Sequence, residues 1–201
     1  MSRIKLTKNE LRDQEHKLSQ LQKYLPTLQL KKAMLQGEVN QSSLEISQLE
    51  SLSQAEEART AKFQSLLSER GLKGLLKAVT VKGVTKGRDS IAGVEFPTFE
   101  GIDFDANDYP LFNTPLWWDR AIAALRALLV AQEKVVIAKE KNEALRKELR
   151  DVSIRVNLFE KILIPRHLGH IKKIKIFLGD QQLSAVAQAK AAKRKILEKR
   201  T

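Results

Sequence analysis

Two histidines and three aspartates have the residue types and spacing that come closest to a chemical site. His167 and His170 are three residues apart, which on a helix is the spacing of two metal ligands. No third ligand stands near them in the sequence, so a polar helix face is the favoured interpretation. Asp103, Asp105 and Asp108 suggest a cation-binding loop, but the glycine and the terminal glutamate of an EF-hand are missing. A solvated loop is therefore favoured, and we expect no bound metal.

Motifs for other kinds of catalysis are missing as well. Residues 83–88 look like a glycine-rich loop, but they lack the GxxxxGK[ST] spacing of a phosphate-binding loop, which favours a hairpin turn. The chain has no cysteine, which excludes disulfides, thiolate-held zinc and CxxC redox sites. Trp117 and Trp118 fit packing against a neighbouring segment better than binding of a partner. We therefore predict a non-catalytic protein without a cofactor.

The positive charge is concentrated at one end of the chain. The formal net charge is +12, of which +8 falls on residues 166–201, here called the basic tail. The rest of the chain is close to balanced, so the basic character is local. The candidate partner-binding residues are the densest cations of the basic tail, Lys190, Lys193, Arg194 and Lys195.

Residues 1–70 are predicted to form a long helix. Thr7 and Glu10 have the spacing of a capping box at its start. A seven-residue repeat of apolar residues follows, which is typical of a coiled-coil seam. Pro26 lies inside this repeat, and we expect a kink there rather than a break. The predicted seam residues of this arm are Leu11, Leu18, Leu21, Leu25, Leu28, Leu35, Val39, Ile46 and Leu49.

Residues 116–201 are predicted to form a second long helix that ends in the basic tail. Thr114 and Pro115 fit an N-cap and a first helical position. Pro165 interrupts the repeat, and Gly179-Asp180 is a second weak point. The predicted seam residues of this arm are Leu128, Val135, Asn142, Leu145, Leu149, Val152, Val156, Phe159 and Leu163.

Residues 71–115 between the two arms have a different character. Residues 79–82 and 91–96 are short β-branched runs, and the turn-prone residues 86–89 separate them, which predicts a β-hairpin. Residues 97–115 are rich in Asp, Asn and Pro and indicate a loop.

Each arm has an apolar stripe that it cannot bury alone, so we expect the chain to fold back on itself. The predicted fold is mainly α, a long antiparallel two-helix coiled coil with a small hairpin and loop insert at the fold-back end. Facing residue numbers should add up to about 187, give or take a heptad. Asn142 then lies near Ser42, and we expect these two polar seam residues to meet and fix the register.

No segment of the sequence is a candidate for a signal peptide or a membrane span. The longest apolar runs, residues 121–125 and 127–131, are far too short to cross a bilayer. We therefore expect a soluble chain that reaches a membrane only through its partners.

Three segments resemble one family. LTKNEL at 6–11, IAGVEFP at 91–97 and RVNLFEKILIPR at 155–166 are similar to the D subunit of V/A-type ATP synthases, and the last segment is the most specific. The resemblance implies a central rotor shaft whose helix termini insert into a hexamer of A and B catalytic subunits. It also implies that the insert lies towards the membrane, near the F subunit and the socket subunit of the membrane ring. Rotation would link ATP synthesis or hydrolysis to proton or sodium transport, on the cytoplasmic side of the membrane as a peripheral part of the complex.

A coiled-coil scaffold or a nucleic-acid-binding protein that uses the basic tail is the alternative. Cationic segments bind phosphate backbones, but Phe177 is the single aromatic residue of the tail and offers no stacking platform for single strands. No direct contact with nucleic acid is therefore expected.

Overall fold

The computed structural model describes residues 4–64, 75–76, 79–105 and 115–198, and it confirms the predicted fold class. Two long helical segments flank a two-stranded antiparallel sheet. The elements in chain order are helix α1 (Lys8–Gln64), strands β1 (Val81–Ile91) and β2 (Val94–Phe104), helix α2 (Trp118–Leu158), a π-helical turn (Phe159–Leu163) and helix α3 (Ile164–Glu198).

The chain divides into two compact units. Unit 1 combines Met1–Lys32 with Asp151–Thr201, and unit 2 is Ala33–Arg150. Each unit therefore contains part of α1 together with a distant part of the chain. The hairpin belongs to unit 2, and the basic tail belongs to unit 1.

The start of α1 is capped as its sequence predicts. The backbone N–H of Glu10 donates to Thr7 Oγ1 at 3.3 Å, which satisfies one of the free donors of the first turn. Pro26 lies inside the helix without breaking it. Its ring nitrogen cannot donate to the carbonyl of Gln22, while the Thr27 hydroxyl donates to the Tyr24 carbonyl at 2.7 Å. The predicted end of the helix, at about residue 70, lies outside the described residues.

The hairpin exists, but its turn was predicted in the wrong place. Residues 86–89 lie inside β1, and the turn is formed by Ala92 and Gly93, with φ values of 52° and 77°. Positive φ at both central residues is typical of the type I′ turn, whose twist matches that of the flanking strands. The strands are accordingly longer than predicted, each with 11 residues.

Residues 97–104, predicted as loop, are part of β2. Pro97 pairs with Arg88 on a two-stranded sheet, where every strand is an edge and the missing N–H is tolerated. Gly87 also has a packing role in the sheet. A Cβ at this position would lie 2.7 Å from Thr98 Oγ1 and still closer to Glu100 Oε1.

Helix α2 begins at Trp118, three residues after the predicted position at Pro115. Residues 115–117 form a turn in which the Trp118 N–H donates to the Pro115 carbonyl at 3.0 Å. Thr114 lies outside the described residues. Trp118 is buried in an apolar cluster, and partly buried Trp117 packs against it, as predicted for packing against the insert. The buried members of the cluster are Leu75, Val79, Trp118, Ala121 and Ile122.

Pro165 does not interrupt the second arm. The chain instead widens into the π-helical turn, where the Ile164 N–H donates to the Phe159 carbonyl five residues back. In a regular α-helix the ring of Pro165 would crowd the Lys161 carbonyl, and a wider turn gives that carbonyl room. The second predicted weak point, Gly179-Asp180, also lies inside continuous helix.

Replacement of Gly93 by alanine tests the turn. Gly93 has space for a Cβ but a φ of 77°, so G93A should destabilise the hairpin by about 1 kcal/mol through backbone strain alone. Hydrogen exchange of the hairpin amides measures this change.

The matched control is G83A, in the strand. Gly83 also has space for a Cβ, but its φ lies outside the positive region, so the substitution should leave amide protection unchanged or raise it slightly. Equal loss of protection in both variants would contradict the turn assignment.

Candidate functional site

The seam between α1 and α2 in unit 2 is antiparallel. Lys141 Nζ lies 2.9 Å from Glu45 Oε2, and Lys139 Nζ lies 2.7 Å from Glu50 Oε1. The partner's number falls on α2 as the number rises on α1. Both pairs lie within one heptad of the predicted register.

The structure places every predicted seam residue at a buried or half-buried position. The buried ones are Leu35, Val39, Asn142, Leu145, Val152 and Val156. The half-buried ones are Leu11, Leu18, Leu21, Leu25, Leu28, Ile46, Leu49, Leu128, Val135, Leu149, Phe159 and Leu163.

Apolar burial in the seam, rather than the ion pairs beside it, dominates the stability of the pairing. Leu35 and Leu145 are both 0% exposed, and each fully buried side chain of this type contributes about 1.5–3 kcal/mol. Lys139 and Glu50, by contrast, keep about half of their side-chain surface in solvent. Exposed ion pairs of this kind contribute about 0–1 kcal/mol.

Asn142 bonds across the seam, though not to the predicted partner. It is 6% exposed, and its Nδ2 donates to the Val39 carbonyl at 3.3 Å and to Ser43 Oγ at 3.2 Å. Ser42 is buried beside these groups, but its hydroxyl has no hydrogen-bond partner among the described residues. Sequence position alone could not decide between two adjacent serines. The amide contact is made in one alignment of the two helices, so sliding would leave a buried polar group unpaired.

The hairpin lies along the side of α2 through three aromatic residues of β2. Lys141 Nζ is 5.4 Å from the ring centre of Phe96, Lys134 Nζ is 5.4 Å from that of Phe99, and the Arg126 guanidinium is 5.0 Å from that of Phe104. These cations are seven and eight residues apart on α2, or about two turns each. Lys86 of β1 adds an ion pair to Glu140 of α2 at 2.9 Å. The hairpin is therefore held to α2 along most of its length.

Ile122 and Ile137 of α2 are buried but were not among the predicted seam residues. Ile122 packs with Leu75 and Val79, and Ile137 lines a cavity of about 300 Å³ with Leu49 of α1 and Phe99 of β2. Each lies next to a buried alanine, Ala121 or Ala138, so they widen the apolar stripe of α2 on the side that faces the insert. The sequence does contain a signal for this wider stripe, namely the adjacent apolar pairs Ala121-Ile122 and Ile137-Ala138.

The seam of unit 1 contains a polar contact that the sequence did not predict. Gln14 is 7% exposed, and its Oε1 lies 2.5 Å from His167 Nδ1. Lys175 Nζ lies 2.9 Å from Glu15 Oε1 on the surface beside it. His167 was predicted on a polar helix face, whereas it is half-buried between α1 and α3.

Burial lowers the pKa of both histidines of this seam below 6.5. For His167, neighbouring His170, Lys17 and Arg166 lower the pKa further. For His170, Arg166 and Lys173 add to the effect of burial, while Glu10 opposes it. At neutral pH the neutral imidazoles are therefore the favoured forms in the folded chain.

Residues 180–196 of the basic tail form a helix with solvent on all sides. Every residue from 180 to 196 is exposed, including the candidate residues Lys190, Lys193, Arg194 and Lys195. Arg194 approaches Glu198 at 3.6 Å within the same helix. This part of α3 presents cations without packing against another described element.

The glycine-containing segment and the aspartates singled out from the sequence do not come together in one site. Residues 83–88 form part of β1, Asp103 is exposed on β2, and Asp108 lies outside the described residues. Within the described residues, no group of three or more His, Cys, Asp or Glu side chains is placed to hold a metal ion. None of the described helices is long and apolar enough to cross a membrane.

Comparison with known proteins gives a consistent result. A family model for the D subunit of ATP synthase matches residues 10–194. The D subunit of the V-type ATP synthase of Chlamydia felis is 42% identical over 202 residues, covering 99% of this chain and 96% of the relative. The protein of the same name from Borreliella burgdorferi is 40% identical over 201 residues, covering 99% of this chain and 98% of the relative.

Replacement of Asn142 by leucine tests the polar contact in the seam. N142L should raise the melting temperature, because a buried amide is exchanged for an apolar side chain of similar size. It should also loosen the register, because the contact that selects one alignment is lost. Spin labels on cysteines introduced at Gln41 and Lys147, in a chain without native cysteine, report the register as the width of the distance distribution.

The matched control is N157L, at an exposed position of the same helix. It should leave the distance distribution unchanged. A lower melting temperature for N142L, or a distribution as narrow as that of the unmodified seam, would contradict the role assigned to Asn142.

Proposed function

Because this chain belongs to the ATP synthase D subunit family, we propose that it is the non-catalytic central rotor shaft of a V/A-type ATP synthase. In this role it transmits torque between a hexamer of A and B catalytic subunits and the membrane ring. The coupled processes are ATP synthesis or hydrolysis and the transport of protons or sodium ions. The F subunit and the socket subunit above the ring are its further partners.

The observation that carries the proposal is the pairing of the helices in one register. A shaft transmits torque only if its two strands do not slide past each other. Buried leucines supply the adhesion of the seam, and the Asn142 contact with Ser43 and Val39 selects the alignment. Ion pairs on the surface contribute little to either property.

The outer face of α1 in unit 2 suits a part that turns inside a sleeve. Met34, Leu44 and Leu52 are more than half exposed there, and the uncharged residues Gln41 and Gln48 lie between them on the same face. These positions recur at spacings of three, four and seven, so they form a stripe of uncharged side chains, which Glu45 borders on one side. A stripe of this kind offers no strong electrostatic contact that would hold the shaft at one angle.

The tail supplies a contact with the hexamer in this proposal. Its exposed cations, Lys190, Lys193, Arg194 and Lys195, meet acidic groups that line the hexamer in this proposal. Long-range attraction between opposite charges tolerates rotation better than a shape-specific contact does. The insert and the hairpin then lie towards the membrane, on its cytoplasmic side, where the socket subunit and the F subunit bind.

Reconstitution with the A and B subunits of the same host tests the rotor directly. A bead is attached to a cysteine introduced at Ser90 near the hairpin turn, and the hexamer is fixed to a surface. ATP should drive stepwise rotation of the bead in one direction. Binding to the hexamer without rotation of the bead during ATP hydrolysis would contradict the proposal.

Charge reversal in the tail tests the contact with the hexamer. Replacement of Lys190, Lys193, Arg194 and Lys195 by glutamate should weaken assembly or slow rotation. The control variant exchanges lysine and arginine at the same four positions, which keeps the charge and should leave both properties unchanged. Assembly and turnover of the glutamate variant at the level of the unmodified chain would contradict the role of the tail.

A further inference from the structure

A polar cluster joins the first turns of α1 to α3 inside unit 1. Gln14 Nε2 donates to Glu10 Oε1 at 2.8 Å, and Gln14 Oε1 lies 2.5 Å from His167 Nδ1. The ring of His170 meets that of His167 edge to face, with 6.2 Å between the ring centres. Two imidazoles, one buried amide and one carboxylate therefore form a single network across the seam.

The network fixes the tautomer of neutral His167. Because the Gln14 amide nitrogen donates to Glu10, the amide oxygen is the group that faces His167 and acts as an acceptor. His167 Nδ1 must then carry a proton and donate it. Of the two neutral tautomers, only the one with its proton on Nδ1 makes this bond, and it places no net charge in the half-buried seam.

The geometry around His170 disfavours the charged form of that ring. Its Nδ1 is buried without a hydrogen-bond partner. A neutral ring with its proton on Nε2 leaves only an unused acceptor at that point. Protonation of Nδ1 would place a charged donor there with no acceptor, which is the more costly arrangement.

The surrounding charges act in the same direction. Lys17 of α1 and Arg166 of α3 oppose a charge on His167, and Arg166 and Lys173 oppose one on His170. Glu10 of α1 is the acidic group that favours protonation of His170. A charge on either imidazole also opposes a charge on the other across 6.2 Å.

We propose that Gln14, His167 and His170 form a proton-sensitive latch, which holds the start of α1 against α3 while both imidazoles are neutral and loosens on acidification. The latch does not depend on the proposed rotor function, because it concerns the stability of unit 1 alone.

The sign of the pH dependence follows from the direction of the pKa shifts. Both pKa values are lower in the folded chain than the ordinary value of 6.5, so the unfolded chain binds more protons. The stabilisation is complete above the unfolded pKa of about 6.5 and is lost as the pH falls towards the lower folded pKa values.

Thermal unfolding of the full chain tests the latch between about pH 7.5 and about pH 5, where aspartate and glutamate side chains with ordinary pKa values remain mostly ionised. The unmodified chain should lose several degrees of melting temperature over this range at constant ionic strength. The double variant H167Q/H170Q should lose much less, since neither glutamine titrates. The chain has three histidines, and H16Q, at an exposed position of α1, is the matched control that should keep the dependence of the unmodified chain.

Two measurements on the unmodified chain report on the latch itself and do not depend on the folding of a variant. Nuclear magnetic resonance should show that His167 and His170 gain protons only below the pH expected for a free imidazole. Hydrogen exchange of the amides of residues 10–17 should accelerate as these histidines titrate. Ordinary titration of both rings, or a double variant with the full pH dependence of the unmodified chain, would overturn the proposal.

Discussion

Burial of a narrow apolar seam between two antiparallel helices is the interaction on which the rest of this structure depends. An isolated helix gains little from its own hydrogen bonds in water, and most helical stability in proteins comes from packing of an apolar face. The central residues of the seam, Leu35 and Leu145, are fully buried, whereas the charged residues beside them remain largely in solvent. The ion pairs therefore lie beside a contact that is stabilised mainly by apolar burial.

Apolar burial alone does not fix the register of the two helices, because a repeating apolar stripe packs nearly as well after a slip of one heptad. The buried amide of Asn142 supplies the missing specificity.

The hairpin modifies this seam on one side. Helix α2 contacts α1 and also carries the three cations that lie over Phe96, Phe99 and Phe104 of β2. Its buried arc is therefore wider than that of a simple two-stranded coiled coil, which explains why Ile122 and Ile137 are buried beside the regular seam positions. A helix with two partners resists rotation about its own axis better than a helix with one, because a turn would expose apolar surface on both sides.

The sequence predicted the features that follow from the spacing of apolar residues within one segment. It failed for the features that depend on contacts between residues far apart in the sequence. A heptad repeat can be recognised in each helix separately, so the two arms and their approximate register could be predicted. The hairpin turn was misplaced because residues 86–89 have the composition of a turn, while Ala92 and Gly93 adopt positive φ only because the two strands pair around them. The burial of His167 was missed for the same reason. Its partner Gln14 lies 153 positions away, and nothing in the local sequence marks a histidine that bonds across the seam.

The two units use chemically different groups for the same purpose. In unit 2 the polar group that crosses the seam is the amide of Asn142, which bonds a backbone carbonyl and a hydroxyl, and neither group titrates near neutral pH. In unit 1 the amide of Gln14 bonds an imidazole, whose charge is opposed by burial and by the cations around it. Alignment in unit 2 is therefore insensitive to protons, while the contact in unit 1 changes with them. The difference places the proton-sensitive contact in the unit that also contains the exposed basic tail, and it leaves the helices beside the hairpin with a constant register.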